Sequence, residues 1–118
     1  WMSGGLLSLY WKDGSAYSWL RMYNNLDLGE WVNVVGTYNG SNGANGGKIY
    51  INGILQSAQI LGGGTYIAMD SNTIDPFRIS QVDRSLDGNM SNAQIHNRVL
   101  SSSEVLQNYN TLKGRFGL

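Results

Sequence analysis

The sequence contains no cysteine. That removes disulfides and thiolate metal sites and leaves the redox compartment open, because a well-packed β domain needs neither. Proline occurs once, at Pro76, where it is expected at the start of a strand because it cannot donate to a ladder. Histidine also occurs once, at His96. With no cysteine and no serine in a nucleophile-elbow context it completes no triad, and a strand-surface position is the simpler reading. Glutamate is confined to Glu30 and Glu104. Glycoside hydrolysis uses two closely placed carboxylates, one to protonate the leaving oxygen and one to attack or activate water. Glu30 falls at a turn, Glu104 fits a helix cap, and no E-x-D-x-x-E arrangement exists, so a non-enzyme is expected. Eight basic and eight acidic residues cancel, which leaves no electrostatic footprint for nucleic acid or an anionic membrane. No run approaches the roughly 20 apolar residues that span a bilayer, so membrane insertion is not expected, and no signal-peptide pattern is visible. The chain opens on Trp1 and is expected to be a fragment or processed product of something longer.

What is abundant is glycine, at 16 residues, and aromatic side chains, at 11%, against only 14% charged residues. This balance suits a turn-rich β protein better than a helical bundle. A length of 118 residues fits one domain over 1–118, able to bury roughly two-thirds of its unfolded surface. The centre of the pattern is the stretch 30–53. Alternation places Val32, Val34, Gly36 and Tyr38 on one face of a strand, with Trp31, Asn33, Val35 and Thr37 on the other. Ile49 and Ile51 share a face in the next strand, and Lys48, Tyr50 and Asn52 take the opposite one. The glycine- and asparagine-rich residues 39–47 join the two arms, and Asn52-Gly53 is a two-residue hairpin signal. Trp31, Val34, Tyr38, Ile49 and Ile51 are the expected core of this meander.

Upstream, strand-like runs at 6–11 and 16–23 flank Lys12-Asp13-Gly14-Ser15, which predicts a hairpin. Its second arm carries Tyr17, Trp19, Arg21 and Tyr23 on one face. That face is either a stacking platform for sugar rings or another protein, or ordinary core or subunit contact. Downstream, a strand is expected over 54–61, ended by Gly62-Gly63-Gly64, then a loop over 65–75. A short strand containing Phe77 and Ile79 follows, then a turn at 83–87 and a long strand over 88–99. The period then becomes helical, with Val105, Leu106, Tyr109 and Leu112 on one side. Ser101 with Glu104 fits a capping box and Leu100 with Val105 its hydrophobic staple, while Lys113 and Gly114 suit the helix end.

Trp31, Val34, Thr37 and Tyr38 form W-x-x-V-x-x-T-Y, and Tyr50, Asn52 and Gly53 form Y-x-N-G. In this stretch the chain resembles the laminin G-like branch of the concanavalin A-like lectin/glucanase superfamily. Gly88, Ile95, Asn97, Arg98, Leu100, Ser101 and Glu104 fit the family's C-terminal pattern. Residues 108–118 resemble the ends of such domains in bacteriophage virion proteins. The resemblance covers about 31–118, with the first hairpin matching preceding strands and further N-terminal strands expected to be missing. It implies an all-β, antiparallel β-sandwich of jelly-roll, laminin G-like kind with a short C-terminal α-helix. Where the family often carries an acidic residue after the glycine of its last long strand, this chain has Ser91, Asn92, Ala93 and Gln94, which weakens a metal role there.

The implied function is a non-catalytic carbohydrate- or protein-binding adhesion module of a virion surface protein, in capsid decoration or a tail fibre, within a larger assembly. The alternatives are a purely structural subunit-contact domain, using the aromatic hairpin face and the Arg115-Phe116 tail against neighbouring virion subunits, and an extracellular bacterial adhesion domain. Tyr17, Trp19, Asn42, Asn45 and Asp83 are the candidates for contact with glycans. Asp70, Asn72 and Asp75, near Asp83 and Asp87, offer oxygens of the kind calcium takes, although aspartate and asparagine also populate turns for backbone reasons alone. Asn39-Gly40-Ser41 and Asn89-Met90-Ser91 match glycosylation sequons, which matter only in a secreted eukaryotic chain.

Overall fold

A computed structural model of the chain describes residues 6–12, 19–26, 29–40, 46–57, 59–63, 78–79 and 88–118. The first hairpin forms. Strands β1 (Leu6–Lys12) and β2 (Trp19–Asn25) pair antiparallel from Leu6 opposite Asn25 to Lys12 opposite Trp19. Of the strand expected over 16–23, residues 19–23 fall within β2, and 16–18, with Tyr17, lie outside the described residues. Strand β6 (Gln59–Gly63) adds to the other side of β2, giving the order β1-β2-β6.

The second sheet is the predicted meander: β3 (Val34–Tyr38), β4 (Gly47–Ile51) and β5 (Ile54–Leu55), antiparallel in that order. Asn52 and Gly53 adopt φ of 50° and 79°, the left-handed pair that a two-residue hairpin requires. Asn52 does more than turn the chain. Its backbone N–H donates to the Asn33 carbonyl at 2.9 Å, and its Oδ1 accepts from the Asn33 N–H at 2.9 Å. At the far end, the Asn39 N–H donates to the Gly46 carbonyl at 2.9 Å and closes the glycine-rich loop. The strand expected over 54–61 is instead divided between the two sheets. The Gln56 N–H still donates to the Ile49 carbonyl at 2.9 Å, and its side-chain Nε2 donates to the Ile54 carbonyl at 2.9 Å. Beyond it the chain leaves this sheet, and Gly62 and Gly63, expected to stop the strand, pair with Leu20 and Trp19 in the other.

The sheets approach each other at Gly36. A Cβ there would run into the side chain of Leu9 on β1, so glycine permits the close contact. Gly36 stands opposite Ile49 in register, and Ile49 is fully buried. The other face of the second sheet is covered by helix α1 (Ser102–Leu112). Tyr50, Leu100 and Val105 form a buried cluster with Val35 packed against it, and the Tyr50 hydroxyl lies 3.0 Å from Ser102 Oγ. Thus neighbouring residues Ile49 and Tyr50 serve opposite layers, each worth about 1.5–3 kcal/mol of burial.

Two expectations need correction. Of the expected core, Ile49 is buried, while Val34, Tyr38 and Ile51 are half-buried and Trp31 is 41% exposed. Trp31 precedes the ladder because Asn52 already holds the backbone of Asn33. Residues 88–99 form no strand and are exposed throughout. They are rich in asparagine, glutamine and serine, types of low or modest strand preference, and none of the described strands takes them up. Pro76, Phe77 and the turn at 83–87 lie outside the described residues, and Ile79 is exposed.

Gly53 and Gly40 share a φ of 79°. A Cβ on Gly53 would lie 3.0 Å from Leu106 Cδ1 and 3.1 Å from Tyr109 Cδ1, whereas one on Gly40 would meet nothing within 4 Å. Gly40→Ala is therefore expected to cost only the left-handed backbone penalty, about 1–2 kcal/mol. Gly53→Ala adds the crowding of α1 and should cost about 1 kcal/mol more. Denaturant unfolding of the two variants measures the difference, and equal losses would refute the packing contribution.

Candidate functional site

The segment 88–101 reaches α1 through a set of charge-assisted contacts. Ser101 is the N-cap, its Oγ accepting from the Glu104 N–H at 3.3 Å, while Glu104 Oε2 accepts from the Ser101 N–H at 2.8 Å. This is the predicted capping box. Leu100 and Val105, the predicted staple, meet in the buried cluster. Arg98 adds a two-pronged fork, Nη1 to Oε2 at 3.0 Å and Nη2 to Oε1 at 2.7 Å. The Arg98 guanidinium and then the Ser101 backbone and hydroxyl hold the Glu104 carboxyl down at a pKa of about 2. Conversely, Glu104 raises the pKa of Arg98.

At its other end α1 tightens into a 3-10 turn over Lys113–Arg115. Gly114 passes through this turn without left-handed backbone; the left-handed glycine is Gly117, at φ 71°. The Leu118 N–H closes back on the Lys113 carbonyl at 3.1 Å, the long-range bond of a Schellman-type ending. Lys113 Nζ sits 5.6 Å over the Tyr109 ring. Phe116 turns toward Trp31, with ring centroids 5.3 Å apart and planes at 45°, a tilted geometry aromatic pairs favour. Ser91, Asn92, Leu112, Arg115 and Phe116 enclose a cleft of about 330 Å³, at the small end of the roughly 300–1,000 Å³ usual for ligand pockets. It joins an aromatic wall, a guanidinium, an amide and a hydroxyl.

A family model described as the Concanavalin A-like lectin/glucanases superfamily matches residues 1–106. The chain belongs to this superfamily. Its architecture is a β-sandwich, in keeping with the two facing sheets, and its laminin G-like and lectin-like members commonly bind carbohydrates or proteins, while some others are glycosidases. The match starts at the first residue, so the first hairpin belongs to the domain, and it stops before 108–118. No curated protein and no solved structure matches the chain.

Of the sequence-derived glycan and metal candidates in this lectin-like domain, Trp19 alone is among the described residues. Tyr17, Asn42, Asn45, Asp83, Asp70, Asn72 and Asp75 lie outside the described residues. Trp19 opens β2 opposite Lys12 and Gly63. Among the described residues no group of three or more metal-binding side chains is brought together, and no helix is long and apolar enough to cross a membrane. Of the two glutamates, Glu30 is exposed and Glu104 is engaged at the helix cap; His96 is exposed. The sequence pattern does not reveal the Trp31–Phe116 contact beside this cleft, because alternation assigns Trp31 to a strand that starts only at Val34. The aromatic residue in the Arg115-Phe116 tail was the available signal.

Because the Glu104 pKa lies below its ordinary 4.5, its ionised form stabilises the native state fully above that value. The contribution fades as pH falls from about 4.5 toward about 2. The stability gap between the wild type and Glu104→Gln is expected to narrow over that window in denaturant titrations. A gap independent of pH would contradict this assignment.

Proposed function

We propose that this superfamily member is a non-catalytic carbohydrate-binding module, with jelly-roll, laminin G-like strand connectivity, displayed on a virion surface and used in adhesion. The observation that carries the binding reading is the cleft in which Phe116, backed by Trp31, adjoins Arg115, Asn92 and Ser91. Aromatic faces accept the apolar side of a sugar ring and the polar groups orient its hydroxyls. The non-catalytic reading is supported by Glu104. A carboxyl with a pKa near 2 is a poor general acid at neutral pH, and Glu104 is already bound by Arg98 and Ser101. The virion setting, as against another extracellular location, is supported by the resemblance of 108–118 to the ends of phage virion domains.

A second reading, contact with neighbouring subunits, is favoured by one observation. Edge strand β5 and the adjoining helix expose Ile54 at 65%, Leu55 at 50% and Leu106 at 45%. Apolar groups clustered on an edge commonly mark an interaction surface.

On a broad glycan array the wild-type domain is expected to bind saturably, and Trp31→Ala to weaken binding at least about tenfold, with Trp19→Ala distinguishing the β2 face as the site. Absence of binding across the array, together with a stable oligomer that Ile54→Lys dissociates, would establish the subunit-contact reading instead. For location, a domain-specific antibody is expected to decorate intact particles in electron micrographs. Labelling confined to bacterial cell surfaces would move the domain to a bacterial adhesin.

A further inference from the structure

Arg115 forms no ion pair with any of the described residues. Among the described residues the ion pair is Arg98 with Glu104, and Arg115 takes no part in it. The end of a helix carries about half a negative charge, while Lys113 and Arg115 bring two positive charges to the 3-10 turn and no acidic residue accompanies them. Positive charge is therefore in surplus at this end. Lys113 directs its ammonium over Tyr109, which leaves the guanidinium at the cleft. Ser91 and Asn92, on the other lip, are exposed and form no internal hydrogen bond among the described residues. Glu30, next to Trp31 in sequence, is exposed and does not line the cleft.

We infer that this cleft is a subsite for an acidic sugar: Arg115 takes the ring carboxylate, Phe116 supports the ring, and Asn92 and Ser91 take its hydroxyls. The inference rests on the carbohydrate-binding reading and narrows it to a charge class and a place. A planar guanidinium matches a carboxylate with two parallel N–H donors. A nearly neutral lining would take uncharged sugars equally well, but no carboxylate among the described residues lies within ion-pair distance of Arg115. The volume suits one or two rings and not a long groove, so the site is specific for a terminal or short acidic unit.

The test uses the full chain in calorimetric titrations with oligogalacturonate and oligomannuronate, each against a neutral oligomer of the same length. The wild type is expected to prefer the uronates by at least about tenfold, the size of a charge-assisted hydrogen bond, and to lose the preference as salt rises. Arg115→Gln should abolish the preference, lowering uronate affinity at least about tenfold and neutral-sugar affinity by less. Arg115→Lys should restore part of it, and Phe116→Ala should weaken every sugar. Unchanged circular dichroism of each variant excludes misfolding. Equal binding of acidic and neutral oligomers, a preference that survives Arg115→Gln, or a preference for sulfated over carboxylated oligomers would overturn the acidic-sugar site. Neutral binding that depends on Trp19 would overturn it while sparing the lectin reading, and no binding to any saccharide would remove both.

Discussion

A strand buried on both faces needs a partner on each, and β4 meets that demand with consecutive residues. Ile49 is covered from the side of Gly36 and Leu9, and Tyr50 from the side of Leu100 and Val105. Neither neighbour is incidental. Without the close approach at Gly36 the first sheet would stand off, and without α1 a large aromatic side chain would face water. Tyrosine suits the second position because its ring fills the apolar cluster while its hydroxyl finds Ser102.

The hairpin turn connects this core to the cleft. Asn52 and Gly53 reverse the chain, hold Asn33, and leave no side chain between the turn and α1. Stopping the ladder at Val34 leaves Trp31 just outside the sheet, where it meets Phe116 from the end of the same helix. The aromatic pair is therefore assembled from residues 85 positions apart in a chain of 118, positioned by a two-residue turn and a helix ending.

Local signals were legible in the sequence where the chemistry is local. Asn-Gly specifies its own backbone, and Ser101 with Glu104 satisfies amides within one turn of helix, so hairpin and cap follow from the residues themselves. Alternation was less reliable because it assumes a strand has one wet side. Tyr50 sits on the face opposite the expected core residues Ile49 and Ile51 and is nonetheless 1% exposed, since a helix far along the chain covers it. Likewise nothing near Gln56 announces that the chain changes sheets there, and 88–99 has the alternation of a strand without a ladder to join. Among the candidate ligand residues, Trp19 could be placed by pattern, but the cleft depends on Asn92 and Arg115 arriving from two separate segments.

The bareness of 88–99 has a thermodynamic corollary. Its amides lie outside any ladder, so their hydrogens are exposed to exchange without the native state opening, whereas those from Leu100 onward belong to the helix and its cap. Residues 88–99 thus have the exposure that marks low local stability, while those from Leu100 onward are held by the helix and its cap. Asn92 and Ser91 stand on the first side of that boundary and Arg115 on the second. A ligand held between them would have to freeze the loose lip, exchanging part of its affinity for chain entropy.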